Sequence, residues 1–289
     1  MPADRDMVHG LSVDVEGFAE SHAQSVRVDP SLTDTGVSDT EIEANLNTTL
    51  DLFAQHVCRA TFFFLGRIGE SSPHLVRMTA DAGHEIGCHS YQHLRITGQT
   101  PDEFRDHLTR ARAALQDASG QPVLGFRAPD FSIGAGNLWA FDELYAAGFR
   151  YDSSVVPTDI HDVYGMSDVP EEIYRWPNGL IEFPLPVMRI LGESVPVGGG
   201  GYFRLFPLWL TQRGFRQSAR AGRPGVFYIH PYEIGAVAPR LSGLSVTRRF
   251  RHYVRLGRGR KRLGWLLERL EFAPMVEVLK RQEFDVGVE

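Results

Sequence analysis

ATFFFL, residues 60–65, is an apolar run of six residues, too short for a globular helix and rich in the aromatic residues that favour strands. Its surroundings decide how to read it. Before it, Ile42, Leu46, Leu50 and Phe53 recur at helical spacing behind Ser38 and Glu41, a pair spaced as a capping box. After it, residues 73–82 read as a helix opened by proline, and residues 85–88 as a short strand. A strand between two helical segments, followed by another strand, predicts parallel pairing.

The alternation extends in both directions. Residues 11–15 make an earlier strand; helices at 101–116 and 138–147 alternate with strands at 123–127 and 149–152. Beyond Asp152 the pattern loosens, with strands expected at 180–183 and 225–230, a helix at about 208–221, and an Arg-rich segment, 248–270, that turns helical. Gly198–Gly201 is not bracketed by the strand and helix of a nucleotide-binding turn. It predicts a loop whose backbone passes close to another group. The polar residues gather where strands end, which favours an irregular barrel of parallel strands over an open doubly wound sheet. The division expected is a barrel over residues 1–247 and a basic helical extension over 248–289, packed on the same domain.

Composition narrows the class. Of 289 residues, 43% are hydrophobic, enough for a full core. The formal net charge is −6, yet the last 42 residues carry 11 basic against 6 acidic groups. That distribution argues against nucleic acid as a partner. The eight basic residues between Arg248 and Arg262 suit either a solvated face or contact with an anionic glycan, a lipid-linked phosphate or a membrane surface. Cys58 and Cys88 are expected to be buried thiols. The first ten residues lack the apolar core of a secretory signal, and no run reaches the roughly 20 apolar residues of a membrane span. A cytoplasmic location is the expectation.

Chemistry concentrates at the strand ends. His89 and His93 stand four apart in HSYQH, a spacing that lets two imidazoles converge on one ion. Asp14 and Glu16, in VDVE, share a face of an extended segment. Arg127 follows GF, Asp152 ends FRYD, and His230 ends VFYIH. Five successive strand ends bearing acids, histidines and an arginine exceed what capping requires.

In order, VDVEG, HSYQH, RAPDF, YDSS and YIHP resemble the five motifs of the polysaccharide deacetylases, the NodB-homology proteins of carbohydrate esterase family 4. GHEIGCHSYQH, GFRAPDFSI and the GGGGYFRLFP run are most similar to the exosortase-associated variety found in PEP-CTERM loci. The resemblance covers residues 11–231 and implies a NodB-type barrel that removes N-acetyl groups from a sugar polymer or its lipid-linked precursor. It implies one divalent ion, zinc by preference, on Glu16, His89 and His93, with Asp14 as base or the two acids exchanged. It further implies Arg127 pairing with Asp14, a backbone N–H near Asp130 at the oxyanion, and His230 as the acid, supported by Asp152. Phe131, Tyr202 and Phe203 are expected against the sugar, and Asp162, in HDVYG, near the site. Two departures bear on substrate: Glu16 stands one residue away from Asp14 where the family pairs adjacent aspartates, and the fourth motif lacks its aromatic residue. A small-molecule amidohydrolase or O-deacetylase is the competing activity, and a silent carbohydrate-binding relative the competing class. The latter disagrees with five filled polar positions.

Overall fold

The computed structural model describes residues 7–24, 26, 28–160, 165–235 and 237–287. Its strands are β1 (Val8–Val15), β2 (Thr61–Phe64), β3 (Glu85–Cys88), β4 (Gly125–Phe126), β5 (Tyr151–Asp152), β6 (Tyr174–Arg175), β7 (Ile181–Glu182), β8 (Val187–Ile190), β9 (Glu193–Pro196), β10 (Val226–Ile229) and β11 (Glu271–Ala273). Nine of them form one sheet in the order β10-β1-β2-β3-β4-β5-β7-β6, with β11 on β1; every pairing but β6–β7 is parallel. β8 and β9 make a separate antiparallel hairpin.

The sheet curls into a half-barrel, and the side chains show why. Phe62 and Phe64 point outward into the layer beneath the helices, whereas Phe63 points inward. Inside, Phe63 of β2 shares one cluster with Tyr151 of β5, Ile181 of β7, Phe183 just past it and Val226 of β10. Residues from both ends of the sheet therefore meet across its concave face. ATFFFL reads as unbroken apolar sequence because both of its faces are covered. Gly10 lies at this close-packed centre, where a Cβ would stand 3.5 Å from the Phe183 ring and 3.3 Å from Met275.

Three readings of the sequence change. The helix over residues 35–55 begins earlier than Ser38, because Asp34 accepts a hydrogen bond from the Gly36 N–H at 3.1 Å and caps it. Ser38 and Glu41 instead face the short helix Phe18–His22: Ser38 donates to Glu20 at 2.8 Å, and Glu41 accepts from the Phe18 N–H at 2.9 Å. Cys58 is only half-buried, while Cys88 is buried as expected. The C-terminal segment is not helical throughout. Gly10 pairs with both Val226 and Ala273, so β11 lies on the same edge of β1 as β2, and the Met275 N–H donates to Thr61 at 2.8 Å.

The glycine run does bring backbone close. Gly199, at φ 143°, bridges to Tyr228 on the free edge of β10, and a Cβ on it would fall 1.8 Å from the Tyr228 carbonyl oxygen. Gly199→Ala is expected to lower stability by about 2 kcal/mol or more. Urea denaturation followed by fluorescence checks this; an unchanged midpoint would show that the loop can move away.

Candidate metal centre and its cavity

Parallel strands end along a common edge, and the polar residues stand there. β1 delivers Asp14 and Glu16, β3 delivers His89, β4 delivers Arg127 and β10 delivers His230. The turn after β3 is held by N–H bonds from Gly66 to the Ser90 carbonyl and from Arg67 to that of Tyr91. Ser90 takes a left-handed φ of 68° there. This turn brings His93 back beside His89, their rings 5.4 Å apart.

Glu16, His89 and His93 are buried and converge, their donor atoms all lying within 4.8 Å of one another. Glu16 Oε2 stands 2.6 Å from His93 Nε2 and 3.5 Å from His89 Nε2, yet it makes no hydrogen bond of acceptable geometry. Three ligand atoms aimed at a common point, one of them an orphaned buried oxygen, are what a cation would satisfy. His89 Nδ1 lies 2.8 Å from the Arg127 carbonyl; donation there fixes the tautomer that leaves Nε2 as a lone-pair donor. Burial works against the Glu16 carboxylate, but the charge of His93 and the contacts of both histidines hold it well below its usual range. The set fits a divalent ion and constitutes a candidate metal site.

Asp14 lies outside that group. Its Oδ1 accepts from Arg127 Nη1 at 2.8 Å, and the guanidinium, fully buried, also donates to Ser12 Oγ at 2.6 Å, to the Ser153 carbonyl at 3.0 Å and to Ser153 Oγ at 2.9 Å. Every arm of the fork is committed, and the Phe63 ring packs beneath it at 4.5 Å.

His230 faces the metal group from the opposite side, Nε2 at 3.4 Å from Glu16 Oε1. Its partner corrects the sequence reading. Glu233, not Asp152, holds Nδ1 at 3.0 Å and also accepts from the His230 N–H. Arg204 Nε stands 2.7 Å from the other Glu233 oxygen. Burial alone would lower the His230 pKa, but Glu233, then Glu16 and Asp14, raise it. Asp152 is turned instead to Ser154, accepting from its N–H at 2.9 Å and its hydroxyl at 2.7 Å. Ser154 Oγ in turn accepts from the Ala128 N–H, so Asp152 braces the loop that follows Arg127. Burial pushes Asp152 up to about 6, and burial with the Asp152 charge drives its neighbour Glu182 well above the carboxylate range.

A cavity of about 400 Å³ opens from this centre, lined by Glu16, Asp130, Tyr202, Tyr228, His230 and Tyr232, among others. Asp130, at φ 52°, is held by Arg95 at 2.6 Å. Phe131 is buried edge-on against Tyr228. Tyr202 lines the cavity, whereas Phe203 is core, packed against Phe227 beneath Arg262. Asp162 lies outside the described residues. The sequence reading missed Glu233, Arg204, Tyr232 and His22. Only Glu233 carried a local signal, three residues after His230 in HPYE.

A candidate metal site in a cleft at the C-terminal edge of a curled parallel sheet is the arrangement against which known proteins are compared. Residues 33–147 match the polysaccharide deacetylase family model, and residues 153–280 match a domain of unknown function, DUF3473. The match to a polysaccharide deacetylase domain is thus carried by residues 33–147. It is 31% identical over 124 residues to the peptidoglycan deacetylase of Helicobacter pylori, covering 42% of this chain and 41% of that protein. It is 34% identical over 95 residues to a peptidoglycan-N-acetylglucosamine deacetylase of Bacillus cereus, covering 32% and 34%. The match thus spans less than half the length of these relatives. Among solved structures, a Mycobacterium smegmatis protein assigned to the polysaccharide deacetylases shares the fold with a TM-score of 0.62 at 20% identity, covering 99% of this chain and 94% of that one. PuuE allantoinase shares it at 0.61 and 16%, covering 98% and 92%. The site draws on both matched regions: His89, His93 and Arg127 come from the first, Arg204, His230 and Glu233 from the second.

Proposed function

We propose that this chain is a metal-dependent hydrolase that removes acetyl groups from an N-acetylated sugar, in a polymer or its lipid-linked precursor. The observation that carries the reading is the convergence of Glu16, His89 and His93 on one point, faced by His230. A bound ion, zinc by preference for a His₂-carboxylate set, would supply Lewis acidity toward the acetyl carbonyl and lower the pKa of water. Asp14, ion-paired with Arg127 and aimed by it, takes the proton from the attacking water. His230, whose pKa Glu233 raises against burial, gives a proton to the departing amine. The named peptidoglycan deacetylases that this chain resembles support the glycan as substrate. We extend the proposal to the exosortase-associated variety, to a cytoplasmic location, and to contact of the basic segment from Arg248 to Arg262 with a membrane or lipid-linked phosphate. Among the described residues no helix is long and apolar enough to cross a membrane. A cavity of about 400 Å³, near the lower end of small-molecule sites, also favours a second reading in which a small acetylated amine is the substrate. Acetate release from N-acetylated oligosaccharides and from small acetylated amines, before and after chelation and with metal restored, decides between them. No release from any would overturn both.

The Glu233 contact carries its own expectation. Glu233→Gln removes the charge that raises His230, so the acid should lose its proton at lower pH. The alkaline limb of kcat/KM is expected to move down by about one pH unit, with metal content unchanged. An unmoved limb would remove Glu233 from the role of positioning His230.

A further inference from the structure

The cavity that begins at the metal centre also reaches His22, Arg204, Arg251 and His252, none of which the deacetylation scheme consumes except Arg204 through Glu233. Their arrangement is ordered. His252 packs edge-on against His22 at 4.2 Å, and its carbonyl accepts from Arg204 Nη1 at 2.5 Å. Arg255 ties the same corner together by donating to the carbonyls of Arg204 and Leu205 at 3.0 and 2.9 Å. Arg251 sits in the last turn of the short helix Val246–Tyr253, which buries none of its side chains.

The charges do not balance at this end. The carboxylates lining the cavity are Glu16 and Asp130; the first belongs to the histidine pair and the second is held by Arg95. Glu233 is already committed to Arg204 and His230. Among the described residues, Arg251 lines the cavity with no acidic partner for its guanidinium. Arg204, Arg251 and Arg248 together push the His252 pKa down to about 4, after burial, and burial with His252 takes His22 to about 3. Both imidazoles are therefore neutral at physiological pH; His22 gives its one N–H from Nδ1 to the Phe18 carbonyl at 2.7 Å, so His252 is the ring of the pair that can donate to a ligand. An unpaired guanidinium at the exposed end of the cavity, beside one neutral donor, makes that end locally positive.

We propose that Arg251, with His252 and Arg204 behind it, forms a subsite for an anionic substituent, phosphate or carboxylate, carried by the substrate sugar. This rests on the deacetylase reading for the identity of the sugar, but not for the presence of the anion. The cavity then binds a substrate at two points, the acetamide at the metal centre and the anion at Arg251, and the distance between them selects which acetylated sugar is presented.

The test uses metal-loaded protein carrying His230→Ala, so that sugars survive a calorimetric titration. The probes are N-acetylglucosamine, its 1-phosphate and N-acetylmuramic acid. At least one anionic sugar is expected to bind about tenfold or more tightly than the neutral one, and which of the two does so names the anion. Adding Arg251→Gln should abolish most of the preference and leave the affinity for the neutral sugar unchanged, while Arg251→Lys should keep part of it. Equal affinities for all three sugars, absence of binding by all of them, or a preference untouched by Arg251→Gln would each overturn the subsite. Acetate release by the unsubstituted protein is scored separately. Release without an anion preference overturns the subsite alone, and a preference without release from any acetylated compound overturns the hydrolase alone.

Discussion

Replacing His89 or His93 by alanine is expected to strip the chain of its metal and to lower acetate release by about 10³-fold or more, roughly 4 kcal/mol of transition-state stabilisation. A site of three protein ligands that loses one imidazole keeps only two, and Glu16 Oε2 is then left buried with one neighbour in place of two. Glu16→Gln should weaken the ion similarly. Asp14→Asn should not, because Asp14 is tied to Arg127 and lies outside the converging group. It should retain metal and lose turnover. Metal per chain, measured by plasma mass spectrometry on each purified variant, separates the two behaviours. Stoichiometric metal in the His89→Ala, His93→Ala double variant would overturn the assignment. Loss of metal in Asp14→Asn with retention in Glu16→Gln would exchange the two acids. The fold should survive, since both histidines sit past a strand end rather than in the clusters that close the barrel.

How far the sequence foretold this arrangement depends on the range of the interaction. β3 was legible to the residue, because Glu85–Cys88 lies between a helix end and the polar HSYQH turn and is short enough to have one reading. β4 and β5 were legible as strands but shrink to two residues each, since parallel pairing at the curling side of the sheet supports only a brief ladder. The capping-box spacing of Ser38 and Glu41 misled, because the same residue types also satisfy a neighbouring helix, and nothing local distinguishes the two uses. β11 was hidden for a related reason. Glu271–Ala273 has no strand signature of its own and is extended only because β1 offers an unfilled edge below β2. In the site, Glu16, His89, Arg127 and His230 could be picked out because each follows an apolar run, and His93 because it stands four residues after His89. Partners could not. Asp152 and Glu233 are both acids near strand ends, and only the folded chain shows that the helix after His230 turns Glu233 back onto its ring.

Arg127→Met is expected to be the most destabilising single change near the site, by about 3–5 kcal/mol, which for a chain of this size lowers Tm by about 10 °C. The argument rests on what the guanidinium leaves behind. Asp14 is buried and takes its ion pair from Arg127 alone among the described residues, while Ser12 Oγ and the Ser153 carbonyl and hydroxyl lose a donor. An apolar replacement of similar length can fill the space above Phe63, so packing is nearly conserved and the cost is that of a stranded carboxylate. It follows that removing the charge should recover part of the loss. The double variant Arg127→Met, Asp14→Asn is expected to be more stable than Arg127→Met, although Asp14→Asn alone is destabilising, giving a coupling of about 2 kcal/mol or more between the two positions. Arg127→Lys should fall between, since an ammonium retains the charge but cannot span Ser12, Asp14 and Ser153 together. Thermal and urea unfolding of the four proteins in the cycle measures the coupling directly. Additive losses would mean that Arg127 acts as packing beneath the barrel mouth and that its contact with Asp14 contributes nothing of its own.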